Sequence, residues 1–397
     1  MYLGGGINTQ GSNLFSTQAS EIHGWQYAEI LPYFTYAGWA AILISILAGQ
    51  FVMKKGCRIV NIISLIISST GFCLLAISNN KILYAVSITL IVCSLVVYSN
   101  LIPNTLMNLW FPRTKAIALG WATMGFPLVS IFFPSMFLLL MEHFGFKYGF
   151  LFFSGIFLIL ALFTYLVIKE MPEEAGAYPD NDKTITREQL NKAMEEKLHY
   201  QSNWTIALLL KSKTMWLTGI SMGLLWMVVV GIAGQWIPRI VSLGYKREFA
   251  IHLLMVNGII GLFGSYIWGY IDQKLGTKKA CILYGFFYIF ELLCLLFLTS
   301  KNAMYFVTVV AGIGTGGIAN LIPSLIGTIW GRWDFSAANR ILNPITNFLK
   351  GSAALVASFA LTKLNGYNSM YILFLLFCVI SIILLFLLDD TKIGKTD

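Results

Sequence analysis

Eleven stretches of mainly apolar residues constrain what this chain can fold into, because each is as long as a membrane-spanning helix. A helix needs about 20 such residues to cross the hydrocarbon core of a bilayer. The stretches are residues 28–53, 59–78, 82–109, 116–141, 147–169, 214–238, 248–271, 279–299, 303–330, 336–362 and 367–388. Hydrophobic residues make up 57% of the sequence and charged residues 11%, which excludes a water-soluble domain of this size. The sequence therefore predicts an all-α, multi-pass membrane protein.

A shift of 220 residues superposes the two halves of the sequence. The matched positions are NLIP at 100–103 and 320–323, Trp110 and Trp330, Gly49 and Gly269, Gly56 and Gly276, and Lys81 and Lys301. A same-direction repeat of six spans is the arrangement of one large class of secondary transporters. The repeat places residues 1–17 on part of a further span. We therefore predict twelve spans in two six-helix bundles, with the first span incomplete at its N-terminus.

The basic residues lie mostly in loops on one side of the predicted spans, and cytoplasmic loops carry such an excess. We therefore predict a plasma (inner) membrane protein with a cytoplasmic C-terminus. Short basic clusters between spans indicate contact with a lipid bilayer and no nucleic-acid partner, and we expect a monomer. The predicted domains are an N-terminal bundle at 1–169, a cytoplasmic linker with an amphipathic helix at 170–213, a C-terminal bundle at 214–388 and a cytoplasmic tail at 389–397.

Two equivalent loops, GQFVMKKGCR at 49–58 and GYIDQKLGTKK at 269–279, resemble the glycine–basic signature of the major facilitator superfamily. Glycines let helix ends approach closely, and basic side chains reach carbonyl ends and the anionic leaflet. The first copy has Met53 where the family expects an acid, and Asp272 of the second stands one place early. The residues we assign to gating are Gly49, Gly56, Arg58, Arg113, Gly269, Asp272, Gly276 and Lys278. Simple anchoring of the topology is an equal alternative.

Three short stretches are similar to the oxalate/formate antiporter family, a branch close to the monocarboxylate transporters. They are NLWFPRTKAIALGWATMG at 108–125, PEEAGAYPDND at 172–182 and the KG at 350–351. In that family an intramembrane lysine of the eleventh span attracts the carboxylate, and Lys350 matches it by context. The resemblance implies a secondary active transporter that works by alternating access. Oxalate carriers are expected to hold a second cation in the eighth span, but residues 250–270 contain no lysine or arginine.

Lys350 lies within an apolar span, where a lysine costs about 2.5–3.5 kcal/mol and usually marks a function. One fixed cation neutralises one carboxylate, which favours a small monocarboxylate as the substrate. Several alternatives stay open at this point. In the first alternative, Lys350 has a structural role and pairs with Glu291. In the second, the substrate is another anion such as oxalate or nitrate. In the third, the chain is a membrane sensor that transports nothing.

Neutral polar residues are the predicted partners of Lys350 at the substrate. Asn343, Thr346 and Asn347 lie three or four residues apart with Lys350 and therefore share one helix face. On other spans the candidates are Asn8, Gln10, Tyr98, Asn104, Trp226, Gln235, Asn257 and Asn320. Buried amides need partners or a wet cavity, although each of these residues alone is also typical of helix packing.

Enzymatic chemistry finds no support in the sequence. The six cysteines stand singly, no Cys/His set has metal-ligand spacing, and the phosphate loop GxxxxGK[ST] is absent from the sequence. We predict no catalytic residues, no metal and no cofactor, and therefore not an enzyme. Transport is expected to run as antiport or symport on an existing gradient.

Overall fold

The computed structural model describes residues 2–7, 11–182, 184, 188–189, 192, 195, 200–364 and 366–393, and every regular element in these ranges is helical. The first half contains α1 (Tyr2–Gly6), α2 (Ser12–His23), α3 (Tyr27–Ile30), α4 (Pro32–Lys55), α5 (Cys57–Ala76), α6 (Lys81–Val96), a π-helix (Val97–Leu101), α7 (Ile102–Trp110), α8 (Lys115–Thr123) and α9 (Gly125–Val167). Two 3-10 turns follow, at Glu173–Ala175 and Pro179–Asn181.

The second half contains α10 (Ile206–Lys211), α11 (Lys213–Ser242), α12 (Arg247–Leu275), α13 (Thr277–Phe297), α14 (Lys301–Thr315), α15 (Ile318–Ile329), α16 (Gly331–Gly351), α17 (Ala353–Lys363) and α18 (Tyr367–Leu387). The all-α fold predicted from the sequence is confirmed. The amphipathic helix predicted in the linker lies largely outside the described residues.

Ten helical segments of the described chain are long and apolar enough to cross a membrane. They are Pro32–Lys55, Cys57–Ala76, Lys81–Trp110, Phe132–Val167, Lys213–Ser242, Arg247–Leu275, Thr277–Phe297, Lys301–Ile329, Gly331–Lys363 and Tyr367–Leu387, and Lys115–Val129 is a shorter apolar helix. Helix α9 bends at Gly145, whose φ of 71° and ψ of 175° are not helical. This bend separates the predicted spans 116–141 and 147–169.

The helices form two compact units, which do not follow the midpoint of the chain. One consists of Met1–Pro112 and Ile131–Ser202, and the other of Arg113–Ser130 and Asn203–Thr396. The first unit has a phenylalanine core in which Phe15, Phe72 and Phe150 are fully buried. The ring centroid of Phe15 lies 5.8 Å from that of Phe72 and 5.3 Å from that of Phe150. The domain boundaries named from the sequence stay a prediction.

The backbone repeats with the same 220-residue shift as the sequence. Gly56 and Gly276 have φ values of 83° and 84°, and Gly24 and Gly244 have φ values of 66° and 89°. Glycine takes such positive φ values without the steric cost that other residues meet. The equivalent glycines therefore end equivalent helices, which makes the duplication a property of the fold.

Both copies of one predicted span are interrupted shortly before their proline. In the first half α6 gives way to the π-helix, where the N–H of Ile102 donates to the carbonyl of Val97. In the second half α14 ends at Thr315 and α15 begins at Ile318, five residues before Pro323. Proline has no N–H and leaves a carbonyl of the preceding turn without its helical donor. Such irregular turns are frequent at functional sites.

Candidate functional site

Lys350 lies on α16 beside the indole of Trp226 on α11. Its Nζ stands 4.5 Å from the centroid of the Trp226 ring, within the range of a cation–π contact. Both side chains are half-buried. The two helices belong to the same unit, so the contact is part of that unit's own packing.

Two glycines of α11 allow this approach. A Cβ at Gly219 would lie 2.9 Å from Cγ2 of Ile345, and a Cβ at Gly223 would lie 2.5 Å from Cδ1 of Leu349. Real Cβ atoms do not come this close to other heavy atoms, so a larger residue at either position would force Ile345 or Leu349 to move. Glycines four residues apart are a common device for close helix crossing in membranes. The crossing brings Trp226 next to Lys350.

The ammonium group of Lys350 has no acidic partner among the residues that the structure describes. No carboxylate oxygen of those residues lies within 4 Å of its Nζ, and the ion pair with Glu291 is not formed. A lysine at membrane depth usually faces a counter-ion or a watery cavity. Lys350 therefore contributes a positive charge that no carboxylate of the described residues neutralises.

The predicted polar face of α16 is present, but its residues have different hydrogen-bond partners. Nδ2 of Asn347 donates to Oδ1 of Asn343 over 2.6 Å. The hydroxyl of Thr346 is fully buried and lies 3.1 Å from the carbonyl of Leu342 and 3.0 Å from that of Asn343, the acceptors of its own helix. The hydroxyl of Thr346 thus bonds to its own helix backbone, whereas Asn343 and Asn347 form a linked pair, two turns and one turn from Lys350.

The remaining candidates of the second unit lie apart from this pair. Asn320 on α15 is buried, and its Nδ2 donates to the carbonyl of Ser265 on α12 over 2.9 Å. Asn257 is 9% exposed and Gln235 is half-buried. Within the described part of the chain, no side-chain hydrogen bond joins Asn257, Gln235 or Asn320 to Lys350. Asn320 therefore joins two helices, and its Oδ1 has no hydrogen-bond partner among the residues that the structure describes.

Two of the four candidates in the first unit are described. Oη of Tyr98 and Oδ1 of Asn104 are buried and make no hydrogen bond in the described ranges. Tyr98 belongs to the π-helix, and its ring packs on that of Phe157 with centroids 5.2 Å apart. Asn8 and Gln10 lie outside the described residues. The unit thus has buried polar atoms at the interruption of its fourth predicted span.

The two loop signatures hold equivalent tethers in their respective units. The guanidinium of Arg58 donates to the carbonyl of Tyr165 and stands 5.3 Å from the centroid of its ring. The Nζ of Lys278 donates to the carbonyl of Leu388 over 2.6 Å and lies 3.7 Å from the carboxylate of Asp390. In each unit a basic residue therefore ties the start of one long helix to the end of the last.

Sequence reasoning missed the acidic side of these tethers. The 220-residue shift makes Asp390 equivalent to Glu170. The carboxylate of Glu170 occupies the space that a Cβ at residue 56 would need. The 220-residue shift was the signal that relates the two acids. Both acids lie outside the apolar spans, so the hydropathy of the sequence does not indicate them.

Asp272 is 3% exposed and lies near Thr277, Ser324 and Lys115. Around it α8 and α12 cross closely, since a Cβ at Gly269 would lie 2.7 Å from the carbonyl of Ala116. The backbone carbonyl of Arg113 accepts a hydrogen bond from Nε2 of Gln273 over 3.0 Å. Lys115 is a further residue that the sequence did not single out. Gating roles for the whole set stay a prediction.

Replacing Lys278 with methionine is expected to lower the free energy of unfolding by about 1–3 kcal/mol, because a charge-assisted hydrogen bond to Leu388 is lost. The melting temperature of the purified protein measures the change. Lys279→Met is the matched control, since Lys279 is the next residue and is exposed. Equal melting temperatures for the two variants would show that the hydrogen bond from Lys278 to Leu388 does not stabilise the fold.

Replacing Trp226 with leucine is expected to raise KM for a substrate held by Lys350 about 2- to 30-fold, since a cation–π contact contributes about 0.5–2 kcal/mol. The indole is the aromatic face against which the ammonium of Lys350 lies. Trp226→Phe keeps an aromatic face and should recover part of the loss. Uptake measured at several concentrations separates KM from the maximal rate. An unchanged KM in the leucine variant would show that Trp226 does not position Lys350.

Comparison with known proteins agrees with this architecture. Residues 1–326 match the family model described as Major Facilitator Superfamily. An Escherichia coli K12 protein named "Uncharacterized MFS-type transporter YhjX" is 23% identical over 293 residues, which cover 72% of this chain and 68% of the relative.

Two solved structures show the same fold. The proton:xylose symporter XylE aligns with a TM-score of 0.75 at 12% identity, covering 100% of this chain and 95% of that one. The human organic anion transporter MFSD10 aligns with a TM-score of 0.70 at 12% identity, covering 96% and 95%. The resemblance to oxalate/formate antiporters stays a prediction. The family match covers most of the sequence, and we conclude that the chain belongs to the Major Facilitator Superfamily and is a multi-pass membrane transporter.

Proposed function

We propose that this transporter carries a small organic anion, with a monocarboxylate preferred, and that Lys350 holds the carboxylate. The observation that supports the proposal is the half-buried ammonium of Lys350 over Trp226, with no acidic partner among the described residues. An unpaired ammonium of this kind is costly inside a membrane unless it meets an anion or water. A bound carboxylate supplies the missing charge.

The fold by itself does not select the substrate. The solved structures with the same fold are named for a xylose symporter and for an organic anion transporter. Selection must therefore come from side chains in the site. Here the cation favours an anion over a neutral sugar, and the linked amides of Asn343 and Asn347 lie on the same helix face.

The number of fixed charges favours a monoanion. The apolar stretch 248–271 contains no lysine or arginine that would serve a second carboxylate. A second charge without a partner would pay a large desolvation penalty in a cavity of low dielectric constant. Formate, lactate and pyruvate fit this condition, whereas oxalate does not.

We infer alternating access between the repeated halves as the mode of transport, operating as antiport or symport. The duplicated loops and their equivalent tethers support this inference, because the two halves repeat the same contacts. The preferred location is the plasma (inner) membrane with the C-terminus in the cytoplasm.

Counterflow in proteoliposomes tests the substrate class. Vesicles loaded with unlabelled formate, lactate, pyruvate or oxalate receive the same labelled compound outside, and exchange is followed with time. We expect exchange of at least one monocarboxylate to be about tenfold faster than that of oxalate, since one unpaired charge costs more than 1.4 kcal/mol. Faster oxalate exchange would overturn the single-charge argument. Absence of exchange with every anion, combined with ligand binding, would indicate a sensor.

A further inference from the structure

The interruption between α14 and α15 is closed by side chains of two neighbouring helices. The hydrogen bonds run from Nε1 of Trp268 to the carbonyl of Ile313 (3.0 Å), from Oη of Tyr284 to that of Gly314 (2.7 Å) and from Oγ of Ser265 to that of Gly316 (3.1 Å). Backbone groups freed from a helix need such partners inside a membrane. The break is therefore a built feature whose carbonyls have defined donors on α12 and α13.

A carboxyl group lies directly beside this break. Glu291 on α13 is 1% exposed, and its Oε2 has no hydrogen-bond partner in the described part of the chain. A Cβ at Gly314 would lie 2.8 Å from that oxygen and 3.0 Å from Oη of Tyr288. Glycine at 314 therefore makes the space into which the carboxyl group fits. A buried acid with an unsatisfied oxygen requires an explanation.

The groups around Glu291 do not neutralise a negative charge. The titratable side chains that face it are Tyr284, Tyr288 and Cys294 on its own helix and Tyr371 and Cys378 on α18. Helix α14 contributes the glycine at 314. The guanidinium of Arg239 stands over the ring of Tyr371, 5.6 Å from its centroid, and makes no ion pair with Glu291.

An ionised carboxylate in this position would lack both water and a counter-ion, which is strongly unfavourable. Glu291 therefore holds a proton while the break is closed around it. Ionisation requires water or a counter-ion at the carboxyl group. Glu291 is 1% exposed and lies against Gly314, so a movement of the break is the change nearest to it that would admit water. Protonation of Glu291 and the conformation of the break are thus linked. The protonated carboxyl group suits the closed break, and the ionised carboxylate suits the open one.

We propose that Glu291 is a proton-binding site of this transporter, and that protonation of its carboxylate closes the break between α14 and α15. The carboxylate takes up a proton from water when the break is open and returns it to water on the next opening. The O–H bond is the only bond formed and broken. The proposal does not depend on the substrate, and it makes transport sensitive to a proton gradient.

Infrared difference spectroscopy of the purified full chain tests the site without any substrate. Titration over roughly pH 5–9 is expected to remove a protonated-carboxyl band in the wild type, and Glu291→Gln is expected to lack that change. Glu291→Asp should keep the band at a shifted pH, which controls for general disturbance by the glutamine. If the carboxyl bands of the wild type and of Glu291→Gln change identically with pH, the proposal is overturned, because Glu291 then does not titrate.

A flux measurement tests the link to transport. Proteoliposomes containing a pH-sensitive dye receive formate, lactate or pyruvate under an imposed pH gradient. We expect Glu291→Gln to lose gradient-driven accumulation about tenfold relative to its own counterflow rate, whereas Glu248→Gln, at an exposed glutamate of α12, keeps the wild-type ratio. Equal gradient-driven accumulation in wild type and Glu291→Gln would overturn the coupling. If none of these anions moves, the proposed substrate class fails, and the infrared titration still decides the proton site.

Discussion

Replacing Lys350 with methionine is expected to abolish uptake of the anion while the protein stays folded in the membrane. Loss of the partner of a buried charge costs about 3–5 kcal/mol, which corresponds to a loss of at least about 100-fold in kcat/KM. Methionine has a similar length, so the packing against Trp226 is largely kept. Removing a desolvated charge also relieves its cost, and the melting temperature should stay equal or rise.

Two further variants make the result specific. Lys350→Arg keeps the positive charge and should retain part of the transport, although the wider guanidinium changes the geometry. Lys363→Met removes an exposed lysine near the end of α17 and should leave uptake unchanged. Uptake by proteoliposomes and elution from size-exclusion chromatography report function and folding separately. Retained uptake with lost folding would assign Lys350 a structural role.

The lengths and places of the helices were predictable because the bilayer fixes both. The apolar stretch 59–78 corresponds to α5 and the stretch 214–238 to α11, with ends that differ by a few residues. Hydropathy does not locate helix ends, since caps do. Asn80 accepts from the N–H of Leu83, and its equivalent Ser300 accepts from the N–H of Ala303. These caps set where α6 and α14 begin.

The candidate site was predictable only as far as helical periodicity reaches. The spacing of Asn343, Asn347 and Lys350 defines a shared face, and the structure joins the two amides in a hydrogen bond. The contact of Lys350 with Trp226 depends on how α11 and α16 cross. That crossing depends on glycines whose role appears only when the facing side chains are known. Periodicity within one helix contains no such information.

Repeats extend what the sequence reveals, but partners still require the fold. The 220-residue shift predicted that residues 58 and 278 occupy equivalent places, and both tie the end of the last helix of their unit. The identity of the acceptor at Leu388 follows from three-dimensional packing. The same holds for Glu291, whose carboxyl group meets Gly314 and not Lys350.

Replacing Gly316 with alanine is expected to disrupt the second unit. Its φ of −73° and ψ of −20° suit any residue, so backbone strain plays no part in the effect. A Cβ there would lie 2.6 Å from the carbonyl oxygen of Gly261 and 2.7 Å from the carbonyl carbon of Gly264, and it would also overlap the nitrogen of Ser265. These are backbone atoms, which do not rotate away as side chains do.

The helices must therefore separate to admit the methyl group of the Gly316→Ala variant, and overpacking of this kind costs about 1–3 kcal/mol or more. Separation also lengthens the hydrogen bond from Ser265 to the carbonyl at 316, which leaves a buried group without its donor. Gly155→Ala is the matched control, because Gly155 lies in α9 and a Cβ there meets nothing within 4 Å. We expect reduced yield and a lower melting temperature for the first variant only. Equal stability of the two would mean that α12 and α14 do not cross as closely as the structure shows.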